Sequence, residues 1–349
     1  MDLQIFTIDE SETWDRIVSS FKNYDIYYLS TYVKAFELQG DGIPLLFYFN
    51  NGNTRAINVS MKRDISSHKN FTGKIPPNTY FDLSTVYGYG GFIVEGTDTE
   101  QLSQEYMDYC INNNIISEFV RFHPLLENHK LVQGIYDIEK LGVTVSLDLD
   151  SIDEIWANIH SKNKNMIRKA INSELKIYWG RDSNLVDKFI EIYNDTMRRN
   201  NAADYYFFDT NFYNSILDDL KYDSLFFYTK LKKEIISMSI ILLGNEKIHY
   251  HLSASKKEYQ NLAPSNLLIY EAACWGCKNG FKKFHLGGGL GSKKDNLYKF
   301  KKSFNKNEDK DYFIGKKIFD ESIYKKLVDI RLQKSDATVN TEYFPLYRG

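Results

Sequence analysis

Cysteine is scarce in this chain: 349 residues contain three, Cys110, Cys274 and Cys277. So small and odd a number excludes the disulfide framework of small secreted domains and fits a reducing compartment. Two of them spell Cys274-Trp275-Gly276-Cys277, the C-x-x-C spacing of redox and zinc sites. No second pair exists, so a zinc site would need distant histidines. The competing reading, small packing residues on the back of a helix, is the one we carry forward. An excess of one charge is also missing, since 44 Lys and Arg face 46 Asp and Glu. The surface as a whole therefore offers no field for nucleic acid, although a local basic patch over 293–317 stays open. Long hydrophobic runs are absent. The most apolar stretch, 235–243, falls far short of the ~20 residues that span a bilayer. The opening MDLQIFTIDESE has neither the basic nor the apolar region of a signal peptide. These absences predict a soluble, cytoplasmic protein without an integral membrane segment, peripheral contact remaining open. There is no serine triad pattern, no H-E-x-x-H pair and no calcium loop.

What is present centres on Phe284-His285-Leu286-Gly287-Gly288-Gly289-Leu290-Gly291-Ser292, followed by Lys293, Lys294, Lys299, Lys301 and Lys302. Glycine admits positive φ and close backbone approach, and the lysines supply charge for an anion. The spacing matches neither G-x-x-x-x-G-K-[ST] nor G-x-G-x-x-G. Taken alone, the loop is either a tight turn or a place for phosphate-bearing chemistry.

Hydrophobic periodicity organises the rest. In the second half it predicts a charged helix over 153–172, a strand at 175–179 and helices at 185–199 and 212–220. Three strands come next, 225–231, 235–243 and 248–254, turned at Lys232-Lys233-Glu234 and Gly244-Asn245-Glu246. A helix capped by Ser265 and ended by Gly280 then leads to a strand at 282–286. The first half repeats the order more loosely: a strand at 3–8, helices at 10–21 and 31–38, a hairpin of 43–49 with 55–62, a helix at 99–112 and a strand at 116–122. Glu118-Phe-Val-Arg-Phe-His123 echoes Phe281-Lys-Lys-Phe-His285. The reading is two copies of one α/β fold, with the boundary near 143–150.

Strand, two helices, three antiparallel strands, helix, strand is the element order of the GNAT acyltransferase fold. On that fold the fourth and fifth strands splay, the acyl donor's arm lies in the gap, and donor phosphates rest on the following helix's N-terminus. The chain resembles, more particularly, the Fem-type aminoacyltransferases that build peptidoglycan cross-bridges, and their acetyltransferase-like relatives in surface-glycan clusters. Ser161-Lys-Asn-Lys-Asn-Met-Ile-Arg-Lys-Ala170 is similar to the basic helix that opens the family's second domain. Thr196-Met-Arg-Arg199 and the segment 205–213 look like its T-x-x-R helix and the aromatic stretch after it. Phe284 to Phe304 is similar to the family's strand, glycine loop and F-K-x-x-[FY] ending, and the Tyr87-Gly88-Tyr89-Gly90-Gly91 turn recurs in such relatives.

The resemblance implies tandem GNAT-like domains: 1–147 on the acceptor side, 148–315 on the donor side, and 316–349 as a helix and tail returning to the first. It implies that Lys301 and Arg199 contact substrate, Lys301 neutralising phosphate or the oxyanion that develops in acyl transfer. Against that stand a solvated lysine and, for Arg199 beside Arg198, a helix-end charge. Gly287, Gly288, Gly289, Lys302, Tyr87 and Tyr89 complete the substrate side. The donor side falls to Gln260, Ser265 and Asn266. There the [QR]-x-x-G-x-[GA] pattern is broken, because Ala263 replaces a glycine and Pro264 has no N–H. Lys34 lies near a lysine of some relatives but out of register.

For proton transfer, His249 and His251 alternate along one strand and so share a face, which would let His251 act as base. Tyr298 would be the general acid. Structural hydrogen bonding and packing are the rival roles. His123 and His285, at strand ends, read as loop anchors. No tightly bound cofactor and no metal are implied. The co-substrate is an acyl-coenzyme A or an aminoacyl-tRNA, and the acceptor is a nucleotide- or lipid-linked envelope precursor. A non-catalytic pair of GNAT domains binding a glycan or a partner is the alternative from another class.

Overall fold

Strand β1 (Leu3–Phe6), helices α1 (Ser11–Ser19) and α2 (Ser30–Leu38), and the hairpin of β2 (Ile43–Asn50) and β3 (Arg55–Asp64) open the chain. The computed structural model describes residues 2–333 and 342–349. Trp14 and Val18, one turn apart on α1, are both fully buried, which is what fixes that helix's inner face. The Asp15 carboxylate on the same helix takes the Ser30 N–H and hydroxyl, each at 2.7 Å, and so caps the start of α2. Gly52, at φ +87°, turns the hairpin.

Next come β4 (Phe81–Ser84), β5 (Ile93–Glu95), α3 (Glu100–Asn112) and β6 (Ile115–Arg121). Strands β4 and β6 pair in parallel, β5 pairs with β3, and α3 makes the crossover between β4 and β6. Strand β7 (Asp137–Asp148) then carries the chain into its second unit. That unit contains α4 (Ile152–Asn158), α5 (Ser161–Asn172), β8 (Lys176–Gly180), α6 (Asn184–Arg199), α7 (Thr210–Asp218), β9 (Ser224–Leu231), β10 (Glu234–Gly244), β11 (Lys247–Ser255), α8 (Pro264–Lys278), β12 (Lys283–Gly287) and α9 (Asn296–Lys302). Strand β13 (Lys310–Ile318) and helix α10 (Glu321–Leu332) follow.

The two units are the chain up to Leu141 together with Tyr312–Gly349, and Gly142–Asp311. Within the first, strands follow the order β1-β2-β3-β4-β6-β13, and within the second β7-β12-β11-β10-β9-β8. Each therefore has four antiparallel strands, a crossover helix and a parallel strand, closed by one more antiparallel strand. The closing strands are exchanged along the chain. Strand β7 follows β6 in sequence yet pairs with β12, and β13 follows the second unit yet pairs with β6.

Several sequence expectations change here. The division falls at 141/142 and 311/312 rather than at 147/148 and 315/316, because β7 and β13 pair where they do. The single helix over 153–172 is two, since Ile159 and His160 are extended. Ile159 is fully buried there, and the His160 N–H donates to the Ser303 carbonyl at 3.0 Å. Ser265 lies inside α8, whose N-cap is Ala263. Strands β4 and β5 were not foreseen, nor was β13. Residues 334–341 of the expected tail lie outside the described residues. No helix among the described residues is long and apolar enough to cross a membrane.

The first unit's core is built round a buried carboxylate. Glu118 accepts from the Tyr106 and Tyr136 hydroxyls, both at 2.8 Å, and from the Ser60 hydroxyl at 2.9 Å. Burial raises its pKa, and the donors only partly offset that. The second unit's core is apolar, with Phe227, Ile241, Ile248, Phe284 and Leu286 from the sheet packed on Leu268, Ile269 and Ala272 of α8. Cys274 is buried beside them, its thiol pushed up to about 11 by burial, which suits packing rather than redox chemistry.

Candidate active site: a forked sheet with a buried lysine

Strands β11 and β12 pair at Lys247–Lys283, Ile248–Phe284 and His249–His285, and then part. Strand β11 runs on to Ser255 and β12 to Gly287. Each carries a bulge where the separation begins. The β10–β11 register passes from Ile241–Tyr250 to Ile240–Leu252, which makes His251 the extra residue. The β12–β7 register passes from His285–Ser146 to Gly287–Val145, which leaves Leu286 extra. An inserted residue bends its strand and ends local pairing. The result is a fork whose inner β11 edge, beyond His249, has no ladder to β12.

The base of the fork is polar and buried. The His249 and His285 rings lie edge-to-face at 5.7 Å, and His285 Nε2 shares a 2.9 Å hydrogen bond with Thr144 Oγ1. The bulge interrupts the two-residue alternation at His251, so strand period alone does not set its face. Burial, and then the neighbouring His249, lower the His251 imidazole to about 3. So weak an acceptor is poorly matched to taking a proton at neutral pH.

Lys301 stands at the tip of the β12 prong. Its ammonium donates to the Gly288 carbonyl at 2.7 Å, and the residue is only 9 % exposed. Burial lowers its pKa to about 8 against the opposing pull of Asp295. Two of its three N–H groups are left for other acceptors. Asp295, which sequence reasoning passed over, organises this corner. Its Oδ1 caps α9 through the Tyr298 N–H at 2.8 Å, and its Oδ2 takes the Leu290 N–H of the glycine loop at 3.1 Å. The signal was available, since Asp three residues before an apolar-periodic stretch is a helix-start pattern.

The glycines fit this corner by their lack of a side chain. A Cβ on Gly288 would stand 2.8 Å from the Val143 carbonyl oxygen, and one on Gly289 would stand 2.1 Å from that of Lys293 and 2.3 Å from Asp295 Oδ1. Gly289→Ala is therefore expected to displace the Asp295 cap and cost about 2 kcal/mol. Activity should fall with it because Lys301 loses its seat. Denaturant titration beside an activity assay checks both.

Arg199 belongs to the other prong. Its guanidinium donates to the carbonyl of Ser255, the last residue of β11, at 3.1 Å. It lines a surface cavity of about 260 Å³ with Glu191, Asp195 and Lys256. Arg198 instead points to solvent and pairs with Asp195 at 2.9 Å. Gln260 is exposed and reaches the Ser255 hydroxyl at 3.5 Å. Ser265 meets the Ser237 hydroxyl at 3.2 Å, and the Asn266 amide donates to Asn163 Oδ1 at 2.7 Å, so both side chains brace α8. Ala263 is left-handed at φ +58°, a conformation strained for any residue with a Cβ.

Tyr298, buried, donates its hydroxyl to Asp309 at 2.6 Å, and its pKa is pushed up to about 12 by burial and that carboxylate. Lys302 pairs with the same Asp309 at 2.9 Å. Both hold the α9 corner together rather than presenting a free group. Tyr87 and Tyr89 lie in the first unit. Tyr87 stacks on Phe36 at 5.7 Å, and Tyr89 packs at 5.6 Å from each of Tyr27, His123 and Tyr312. His123 binds Asp25 at 3.1 Å and receives the Leu125 N–H, as a loop anchor does.

Residues 160–302 match the family model described as Acetyltransferase (GNAT) domain. The whole chain is similar in fold to a crystal structure of FemX, with TM-score 0.66 and 14 % identity over 93 % of this chain and 99 % of that one. It is also similar to the C-terminal domain (DUF2156) of a protein described as a lysylphosphatidylglycerol synthetase from Agrobacterium fabrum, with TM-score 0.57 and 13 % identity over 95 % and 96 % of the two chains. A conserved protein of unknown function from Bacteroides thetaiotaomicron gives TM-score 0.57 and 9 % identity over 90 % and 99 %. No curated protein matches the chain by sequence. The GNAT match and the forked sheet together support an acyltransferase. Within that class the chain resembles the Fem-type enzymes in fold along nearly its whole length.

Proposed function

We propose that the protein transfers an activated acyl or aminoacyl group to an amine of a cell-envelope precursor, a peptidoglycan or surface-glycan intermediate linked to a nucleotide or a lipid. The observation that carries this reading is the fork with a buried lysine at one tip and an arginine at the other. The open edge of β11 suits an extended donor arm, whose amide groups can pair with main-chain N–H and C=O as an added strand does. The acceptor amine attacks the donor carbonyl, negative charge collects on the carbonyl oxygen, and the leaving oxygen or sulfur departs with a proton. Lys301 has two N–H donors to offer that oxygen in a site that excludes water. Arg199 suits a phosphate-bearing part of the substrate, with its planar fork of donors. No imidazole is assigned as base, because an amine that arrives neutral needs little help.

The second unit, 142–311, is assigned the donor and the first unit the acceptor. Between donors, the start of α8 favours aminoacyl-tRNA over acyl-coenzyme A. Ala263 and Pro264 stand where a diphosphate would need free N–H groups, and Pro264 has none. An acyl-coenzyme A-dependent amino-sugar N-acyltransferase is the second reading, favoured by the GNAT match itself. Mass spectrometry of amino-sugar and pentapeptide precursors incubated with each donor in turn tests both. Mass gain with aminoacyl-tRNA alone is expected. Gain with acyl-coenzyme A alone would replace the first reading by the second, and no gain with either would remove the enzymatic assignment.

A further inference from the structure

Helix α5 carries positive charge without a counterion among the described residues. Residues 158–172 include Lys162, Lys164, Arg168 and Lys169 and no Asp or Glu. Asn163, Ile167 and Ala170 bury one face, so the cations occupy the others. Two cations come together where α5 meets the end of α4 and the chain after α9, and a third lies near one of them. The Lys164 and Lys306 ammonium groups donate to one and the same oxygen, the Ala157 carbonyl, at 3.2 and 2.7 Å. They therefore lie within about 6 Å of each other. Lys164 and the Arg168 guanidinium also share one ring, at 5.6 and 5.3 Å from the centre of Trp156.

A single lysine on a carbonyl at a helix end needs no further explanation, since the helix dipole favours it. Two lysines on one carbonyl, with a guanidinium beside them, exceed what a partial charge can balance. Among the described residues none of the three has a carboxylate within ion-pair distance; Arg168 bonds only the neutral Asn165 side chain, at 3.2 Å. The crowding registers on Lys164, whose pKa is lowered by desolvation and then by Lys306 and Arg168. Each ammonium has spent one of three N–H groups and the guanidinium one of five.

We propose that Lys164, Arg168 and Lys306 form a phosphate-binding site on the second unit. Phosphate fits because its charge of nearly two and its several oxygens match two adjacent ammonium groups and a neighbouring guanidinium, where a carboxylate would satisfy one or two. The site does not depend on acyl transfer. It sits on the helix whose Asn163 bonds Asn266 in the first turn of α8, beside the donor end of the fork.

The test is calorimetric titration of inorganic pyrophosphate into the full chain at low salt, repeated with K164Q/R168Q/K306Q and with K306Q alone, an exposed loop position. Circular dichroism should match wild type in both. We expect the triple variant to lose affinity roughly tenfold or more, with weaker salt dependence, and K306Q to lose part of it. Flotation with vesicles of phosphatidylglycerol against phosphatidylcholine separates the sources. Pyrophosphate binding lost in the variants assigns a soluble phosphate. Vesicle binding lost in the variants, without pyrophosphate binding, assigns a lipid phosphate. Absence of both, or binding unchanged by the substitutions, overturns the site. Should the triple variant fail to fold, K306Q decides alone.

Discussion

Lys301→Met should lower turnover on the order of 100-fold or more and leave the protein no less stable than wild type. The two effects have one cause. A cation already stripped of water acts strongly on charge that develops beside it, and being stripped of water is what makes it costly to hold. Burial lowers this lysine to about 8, while an unfolded lysine stays near 10.4. Between those values the unfolded chain binds a proton that the native protein has released, so stability rises with pH across the window. Below about 8 the full penalty applies, at most about 3 kcal/mol from the size of the shift. Methionine removes the penalty and also the alkaline rise. Denaturant titrations at pH 7 and pH 9.5, beside initial rates, read out all of this. A variant with wild-type turnover would take Lys301 out of the chemistry. If the cation is the active form, wild-type kcat should also decline as pH climbs through about 8.

Asp82→Ala should be the most damaging change to the fold. This carboxylate is fully buried and holds three partners: Arg63 at 2.7 Å, Arg348 at 2.5 Å and the Tyr347 hydroxyl at 3.0 Å. It ties the chain's last described residues to β3 and β4. Removing one member of a buried pair costs about 3–5 kcal/mol, because the other charge stays behind. Arg63 keeps a quarter of its surface in water, which argues for the lower figure. A fall in Tm on the order of 10 °C is expected for a chain of this size. The same group predicts acid sensitivity. Burial pushes the carboxyl up, but Arg63 and Arg348 outweigh that and hold it below the ordinary range. Its contribution is therefore complete above the usual carboxylate value near 4 and is lost as pH falls through the depressed native value. Thermal unfolding across pH 2 to 6 should show the loss in wild type and little of it in D82A.

Much of this was legible in the residues, and for identifiable reasons. The meander β9-β10-β11 announced itself because apolar runs were punctuated by Lys232-Lys233 and Gly244-Asn245-Glu246, where local chemistry forces a turn. Lys301 came from its place in a motif, and the glycine loop from composition. What stayed hidden depends on partners far away in sequence. Strand β13 reads Lys-Asp-Tyr-Phe-Ile-Gly-Lys-Lys-Ile, too charged to look like a strand until β6 supplies its pairing. The bulges at His251 and Leu286 exist only relative to a neighbouring register, so no single-strand period reveals them. The break at Ile159-His160 has neither glycine nor proline, and burial of Ile159 decides it. Ser265 looked like the cap by propensity, yet a left-handed Ala263 took the position.

The exchange of closing strands gives the two units a fixed order of completion. On a ribosome the first unit starts first but finishes last, because its sheet waits for β13 and its core contacts wait for Tyr347. The second unit, being continuous from Gly142 to Asp311, has all its strands as soon as Asp311 emerges. Until β13 has been made, an acyltransferase fold with its lysine already in place coexists with a sheet whose β6 edge is open. An open edge is the feature that invites wrong pairing, so the unit that is made earlier carries that risk throughout the making of the later one.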